Sequence, residues 1–374
     1  MKILSYHYEG TREGELCFPR IEFGKLNLIV GDSATGKSRL LNTIFNCAIM
    51  VTRDDKFFFG KWNIVLEHKD LVYRWEFETA EVDEDRRVVH DRLVLLEDDN
   101  EVVIIDRTPE AFRFQDQTLP KLSPRQPSIR ILREEDIVFP LYQAFSSIVR
   151  RRFSKSALED ARRIQPLSPD VLEQLRKDRD LDQLFGVDRA LSCRLYLLSE
   201  VFPKVYEAII REFKATFPFV SEVQFGMGER ADTFSPSIIP IFALTEEGIE
   251  QPIPLPEFSS GMAKVLLILT DIFTLPSTGA VYMIDEYENS LGIGAISFFP
   301  SVLLETDTPS QFIITSHHPY IIGNVPVKDW HVLHRKGRQI LVKSGKELED
   351  RFGRSKQRAF IQLINDPFYV EGVE

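Results

Sequence analysis

The sequence predicts an α/β fold: a mixed central sheet around a strand–loop–helix unit, with an antiparallel β lobe and a helical insertion. Three observations predict it. An apolar run, a glycine-bracketed loop and a helical pattern follow one another over Lys25–Leu41, the layout of a buried strand that turns tightly into a helix. Strand-like segments separated by acidic turns fill residues 62–105, which reads as antiparallel sheet. From Phe258 onward helical and strand patterns alternate, as in a parallel α/β sheet.

Taken in order, residues 2–30 read as three strands, Lys2–Tyr8, Gly14–Phe18 and Leu26–Val30, joined by turns at Gly10, Gly14 and Gly24. In the third, Leu26, Leu28, Ile29 and Val30 form an apolar run, and beyond the loop Leu40, Leu41, Ile44 and Phe45 recur at helical spacing over about residues 37–50. The lobe follows as Trp62–Glu67, Leu71–Glu78, Arg92–Leu96 and Val102–Ile105. Arg107–Ser128 is rich in Pro, Gln and Arg without periodicity and reads as a loop or mobile connection. Glu134–Phe153 reads as a helix with Ile137, Leu141, Phe145 and Ile148 on one face, ending in Arg150-Arg151-Arg152. Basic residues at a helix end are first of all favourable partners of the helix dipole; with Arg162 and Arg163 nearby, contact with nucleic acid is the second reading. Residues 168–217 are helical, most clearly from Leu191 to Phe217, and Ser221–Phe225 and Ile238–Leu244 return to strands. Trp330–Leu333, Gln339–Val342 and a helix near Lys356–Ile364 close the chain. The expected organisation is therefore 1–106 as the first half of the core with the β lobe, 107–220 as a helical insertion, 221–345 as the second half, and 346–374 as a terminal helix and tail.

Composition narrows the class. A chain of 374 residues with 43% hydrophobic content supports a large core, and a net charge of −11 argues against a broadly basic surface made for duplex DNA. Cys17, Cys47 and Cys193 are odd in number and far apart, so neither a disulfide framework nor a C-x-x-C metal site is available. The first residues alternate like a strand and lack the apolar centre of a signal peptide. The longest apolar run, Val265–Leu275, is short and broken by Asp271, too little to span a bilayer. The expectation is a cytoplasmic protein with no membrane partner.

A phosphate-loop motif and four further pieces carry chemistry. Gly31, Gly36, Lys37 and Ser38 fill the template G-x-x-x-x-G-K-[ST], in which glycines free the backbone to wrap its N–H groups around phosphates. The expected nucleotide cradle is Gly31, Asp32, Ser33, Ala34, Thr35, Gly36, Lys37, Ser38 and Arg39, with Lys37 reaching the β- and γ-phosphates and the Ser38 hydroxyl holding Mg²⁺. Gly279–Glu286 is an apolar strand ending in two carboxylates; Asp285 is expected to ligate Mg²⁺ and Glu286 to polarise the water that attacks ATP. Phe258-Ser259-Ser260-Gly261 opens an apolar helix, so Ser259, Ser260 and Gly261 offer helix N–H groups to a phosphate, or Ser259 simply caps the helix. Gln311–Pro319 is a strand whose carboxyl end carries His317 and His318, where ligands of open parallel sheets sit. Tyr287-Glu288-Asn289-Ser290 adds polar side chains where a partner subunit could approach.

In this order the motifs resemble the ATP-binding-cassette (ABC) ATPases, and more closely the soluble branch with the RecF-like proteins, the structural-maintenance-of-chromosomes (SMC) proteins and the OLD (overcoming lysogenization defect) family. Gly31–Ser38 resemble the Walker A loop, Phe258–Gly261 the L-S-x-G signature, Asp285 and Glu286 the Walker B pair, and His317 the switch histidine. Ile284-Asp-Glu-Tyr-Glu-Asn-Ser-Leu291 is similar to the I-D-E-P-E-N-S-L of OLD-type ATPases. Phe258 stands for Leu, Met262 where many cassettes carry Gln or Glu, and Gln143 is the candidate Q-loop glutamine. About 55 residues follow His318, fewer than the Toprim nuclease domain of OLD nucleases needs. The resemblance implies an ABC-type P-loop ATPase using ATP and Mg²⁺. It implies a head-to-tail homodimer or higher assembly in which Ser259 of one subunit closes over ATP held by the other, with Glu286 and His317 catalytic. It further implies a switch for a separate protein effector in bacterial anti-phage defence. The alternative is a RecF-like repair ATPase acting on DNA.

Overall fold

The computed structural model describes residues 1–53, 56–97, 100–186, 189–228, 237–289, 291–292, 295–296, 308–352 and 356–373. Two compact units emerge, one from Met1–Arg151, Thr278–Tyr287 and Asp307–Glu374, the other from Arg152–Ser277 and Glu288–Thr306. In chain order the elements are β1 (Lys2–Glu9), β2 (Cys17–Glu22), β3 (Leu26–Gly31), α1 (Lys37–Thr52), β4 (Gly60–His68), β5 (Leu71–Val82), β6 (Asp85–Glu97), β7 (Asn100–Arg107), β8 (Phe112–Phe114), β9 (Gln117–Leu119), α2 (Ser128–Ile131), α3 (Phe139–Ser146) and β10 (Ile148–Arg152). The second unit then supplies α4 (Lys155–Arg162), α5 (Pro169–Asp178), α6 (Leu191–Val201), α7 (Pro203–Thr216), β11 (Val220–Met227), β12 (Pro240–Glu246), β13 (Ile253–Pro254) and α8 (Ser260–Phe273). Strands β14 (Val281–Asp285), β15 (Gln311–Thr315), β16 (Trp330–Lys336) and β17 (Gln339–Ser344) return to the first unit, which ends in helices Gly345–Phe352, Lys356–Ile364 and Pro367–Glu371.

β3 is buried along its whole length, as its apolar run demands, because parallel neighbours flank it on both sides. β15 pairs with Thr315 opposite Ile29, and β16 with Leu333 opposite Gly31. β14 pairs in parallel with β15. The polar residue inside β3, Asn27, is fully used: its amide donates to the carbonyls of Gly24 and Phe312, and its oxygen accepts from the Gly24 N–H. Gln311 does the same for the first strand, accepting from the Ile3 N–H at 2.9 Å and donating to the Ile3 carbonyl at 2.8 Å. Buried amides satisfied in this way fix register.

The antiparallel lobe continues the same sheet. Strand order runs β10-β14-β15-β3-β16-β17-β2-β1-β4-β5-β6-β7-β8-β9, so the lobe expected at residues 62–105 is its outer part. Two expectations are corrected here. Arg107–Ser128 contains the β8–β9 hairpin, and its start is anchored by the buried Arg107, which donates to the carbonyls of Gln126 and Ser123 at 2.9 and 2.6 Å. The helix expected over Glu134–Phe153 is interrupted: α3 ends at Ser146 and Ile148–Arg152 is a strand. Pairing beside β14 at the sheet edge overrides the helical spacing, and the β-branched Ile148 and Val149 suit a strand.

In the second unit α6 and α7 form the expected helical stretch, broken at Phe202-Pro203 because proline at the first turn starts a new helix more readily than it continues an old one. A small antiparallel sheet, β11-β12-β13, accompanies them. The Arg194 guanidinium is buried there against Asp271 at 2.7 Å and Thr274 at 3.3 Å. No helix among the described residues is long and apolar enough to cross a membrane.

Candidate nucleotide site

The loop between β3 and α1 is shaped by two glycines. A Cβ on Gly31 would lie 2.6 Å from the Thr35 hydroxyl and 2.7 Å from the Leu333 carbonyl of β16, so close strand pairing demands glycine. Gly36 sits at φ +98° as the first residue before α1, a conformation that L side chains resist. Within the loop the Thr35 hydroxyl donates to the Asp32 carbonyl at 2.8 Å, and the Ser33 N–H to the Asp32 carboxylate at 2.7 Å. Lys37 Nζ folds back onto the carbonyls of Gly31 and Asp32, both at 2.8 Å. The ammonium is thereby held over the hollow of the loop.

Asp285, the last residue of β14, is the hub. Its Oδ1 accepts from the Ser38 hydroxyl at 2.8 Å and from the Thr315 hydroxyl at 2.9 Å, and its Oδ2 from Arg150 Nη2 at 2.6 Å. Thr315 is itself fully buried and its oxygen accepts from the Glu286 N–H at 2.8 Å. One hydroxyl therefore holds both the Asp285 carboxylate and the Glu286 backbone. Glu286 adopts φ +51°, a left-handed conformation that costs a non-glycine residue free energy and is held by that contact. Ser38 Oγ and Asp285 Oδ1 form a hard-oxygen pair, a donor set that fits Mg²⁺.

A cavity of about 440 Å³ gathers Ser33, Ala34, Gly36, Lys37, Ser38 and Arg39 with Glu286 and His317, the rest of its wall being Gly14, Leu16 and Arg335. Glu286 and His317 are exposed to it, whereas Gly31 and Thr35 of the loop are buried. Sequence reasoning missed three contributors. Arg335, on β16, reaches the Ala34 carbonyl at 3.4 Å, and no local motif marks it. Thr315 lies in the same text as His317. Arg150 was legible only as part of a basic cluster; it stands on a strand, which corrects the helix-end dipole reading, and its side chain is 5% exposed, which corrects the exposed nucleic-acid contact.

Ser259, Ser260 and Gly261 belong to the second unit. Ser259 caps α8, its hydroxyl accepting from the Met262 N–H at 3.2 Å, while Ser259 and Ser260 remain exposed at the helix start. Phe258, in place of the usual leucine, is buried and stacks on Phe213 with ring centroids 6.4 Å apart. Lys264 is buried, donating to the Asn289 carbonyl at 2.7 Å. Tyr287 and Glu288 are buried, Asn289 is exposed, and Ser290 lies outside the described residues. Gln143 is an exposed residue of α3.

The family described as AAA domain, putative AbiEii toxin, type IV TA system matches residues 26–323, a span that includes every motif above. No curated protein matches the chain. Among solved structures, an SMC head bound to the C-terminal winged-helix domain of ScpA aligns with a TM-score of 0.53 at 13% identity, covering 92% of this chain and 98% of that one. The SMC head domain from Thermotoga maritima aligns with a TM-score of 0.43 at 12% identity, covering 92% and 99%. The fold is accordingly that of a P-loop ATPase of ABC type, of the kind seen in SMC heads.

Proposed function

Since the chain belongs to the family of AAA domains described as putative AbiEii toxins of type IV toxin–antitoxin systems, we propose that it hydrolyses ATP to ADP and phosphate and uses that cycle as a switch. The observation that carries the reading is the single cavity in which Lys37 and Ser38 face Glu286 and His317, with Ser38 bonded to Asp285. Backbone N–H groups from Gly31 to Arg39 and the Lys37 ammonium would bind the phosphates. Ser38 and Asp285 would hold Mg²⁺, whose charge offsets that of the triphosphate. Glu286, whose backbone N–H is held by Thr315, would accept a proton from the attacking water, and His317 would stabilise the γ-phosphate.

The exposed Ser259 and Ser260 at the start of α8 support a head-to-tail homodimer in which this helix start, with Gly261, closes over ATP held by a second copy. Each site alone offers part of the positive potential that a triphosphate needs, so ATP favours the closed pair and hydrolysis releases it. The toxin–antitoxin description of the family supports a separate protein effector and a role in anti-phage defence, and the OLD-like text around Asp285 and Glu286 points the same way. Burial of Arg150 removes part of the basic surface on which a DNA-acting, RecF-like reading rested.

ATP turnover and light-scattering mass, measured for wild type and Glu286→Gln with and without duplex DNA, test the proposal. The expected result is turnover indifferent to DNA, lowered at least about 100-fold in Glu286→Gln, and a variant dimer that persists with ATP. Normal turnover by Glu286→Gln sinks its catalytic role; severalfold stimulation by DNA transfers the protein to the repair reading.

A further inference from the structure

Arg150 places a fixed cation on the carboxylate proposed to receive Mg²⁺. Nη2 donates to Asp285 Oδ2 at 2.6 Å and lies 3.5 Å from the Ser38 carbonyl, and Nη1 donates to Asn42 Oδ1 on α1. The two ion-pair side chains are 5% and 7% exposed, so water screens them little. The residue stands on β10, beside β14 in the sheet, so the guanidinium is held from its own strand, from α1 and from Asp285. A side chain fastened in this manner is part of the site.

We propose that Arg150 is an internal counter-cation that competes with divalent metal for Asp285, so that metal engages this carboxylate weakly alone and tightly together with nucleotide. The inference rests on the ATPase reading of the cavity. The argument is one of charge. Asp285 Oδ1 is turned to Ser38 and Thr315, Oδ2 to Arg150; a divalent ion drawn to the Ser38–Asp285 pair meets a guanidinium a few ångströms away, and like charges in a poorly screened site repel strongly. A triphosphate over Lys37 and Ser38 adds several negative charges at that point and turns the repulsion into net attraction for both cations. Arg150 is thus a positioning residue that sets the order in which ligands bind. It also spares the protein an uncompensated buried carboxylate before they arrive.

The test uses the full chain and Mn²⁺ alone as probe, with free Mn²⁺ followed by electron paramagnetic resonance and no nucleotide present. Arg150→Gln, which keeps an amide donor and removes the charge, is expected to bind one Mn²⁺ about tenfold more tightly than wild type. Arg150→Lys should stay near wild type. The gained site must vanish when Asp285→Asn is added. Asn42→Ala, which loosens one anchor of the guanidinium, should raise the affinity by about twofold to threefold and carries the test should Arg150→Gln fail to fold. Unchanged or weaker Mn²⁺ binding by the folded variants overturns the proposal, as does a gained site that survives Asp285→Asn. Loss of ATP affinity by Arg150→Gln with Mn²⁺ affinity unmoved also overturns it, making Arg150 a phosphate contact. ATP binding by wild type and Lys37→Ala, measured separately, judges the ATPase reading itself: absence of binding by wild type ends that reading, while the nucleotide-free Mn²⁺ comparison still decides about Arg150.

Discussion

The Ser38 hydroxyl donates to Asp285 Oδ1 at 2.8 Å across 247 positions of sequence. The contact joins the start of α1 to the end of β14, and those two ends meet because β14, β15 and β3 run parallel in one sheet. Parallel strands bring their carboxyl ends to one edge, which is where an α/β sheet builds its ligand site.

Thr315 ties this contact to the neighbouring carboxylate. Thr315→Val keeps the shape and removes the hydroxyl that Asp285 and the Glu286 N–H share. We expect a loss of about 2 kcal/mol in stability, read by urea unfolding, and a fall in ATP turnover larger than any change in ATP affinity. Thr315→Ser should restore both; a serine variant as impaired as valine would refute the hydrogen-bond account.

Gly31→Ala sets backbone against backbone. The added methyl would meet the Leu333 carbonyl at 2.7 Å, and neither strand has room to yield. The expected cost is about 2 kcal/mol, seen as a lowered melting temperature together with weaker binding of a fluorescent ATP analogue. Wild-type stability in the variant would mean that β3 and β16 are not as closely paired as described.

His331 makes stability depend on pH. Burial beside Asn27, whose oxygen lies 3.1 Å from its ring nitrogen, pushes the imidazole down from 6.5 to about 4. Above pH 6.5 it is neutral folded or unfolded and contributes nothing to the pH dependence. Between 6.5 and about 4 the unfolded chain takes up a proton that the native one refuses, so stability falls as pH falls through this window, by about 2 kcal/mol at pH 5. Urea midpoints of wild type and His331→Gln at pH 7 and pH 5 check this: the variant should lose less on acidification, and equal losses would absolve the histidine.

Arg194→Ala addresses the second unit. The Arg194–Asp271 pair is essentially inaccessible to solvent, at 1% and 0% exposure, and removing the guanidinium strands a buried carboxylate. We expect destabilisation of about 3 to 5 kcal/mol, measured by chemical unfolding, with partial recovery in Arg194→Met/Asp271→Leu. A neutral single substitution would show that the pair is solvated in solution.

By itself the sequence determined the strand, loop and helix around Lys37, the alternation that makes a parallel sheet, the β-rich lobe and the position of each motif. These are local properties: glycine spacing, apolar period and caps act within one turn or one strand, and neighbours in sequence suffice to express them. Only the tertiary structure decided what Arg107–Ser128 and Ile148–Arg152 become. The strand at Ile148–Arg152 is stabilised by its place beside β14, far along the chain, and no residue nearby announces that pairing, whereas the β8–β9 hairpin pairs locally, with itself and with β7. Arg150 is the clearest case. As text it belongs to a run of three arginines that suits a helix end; in the fold it lies 135 positions from its partner Asp285. A charge gains its meaning from what lies within a few ångströms of it, and sheet order, which places β10 beside β14, sets that distance.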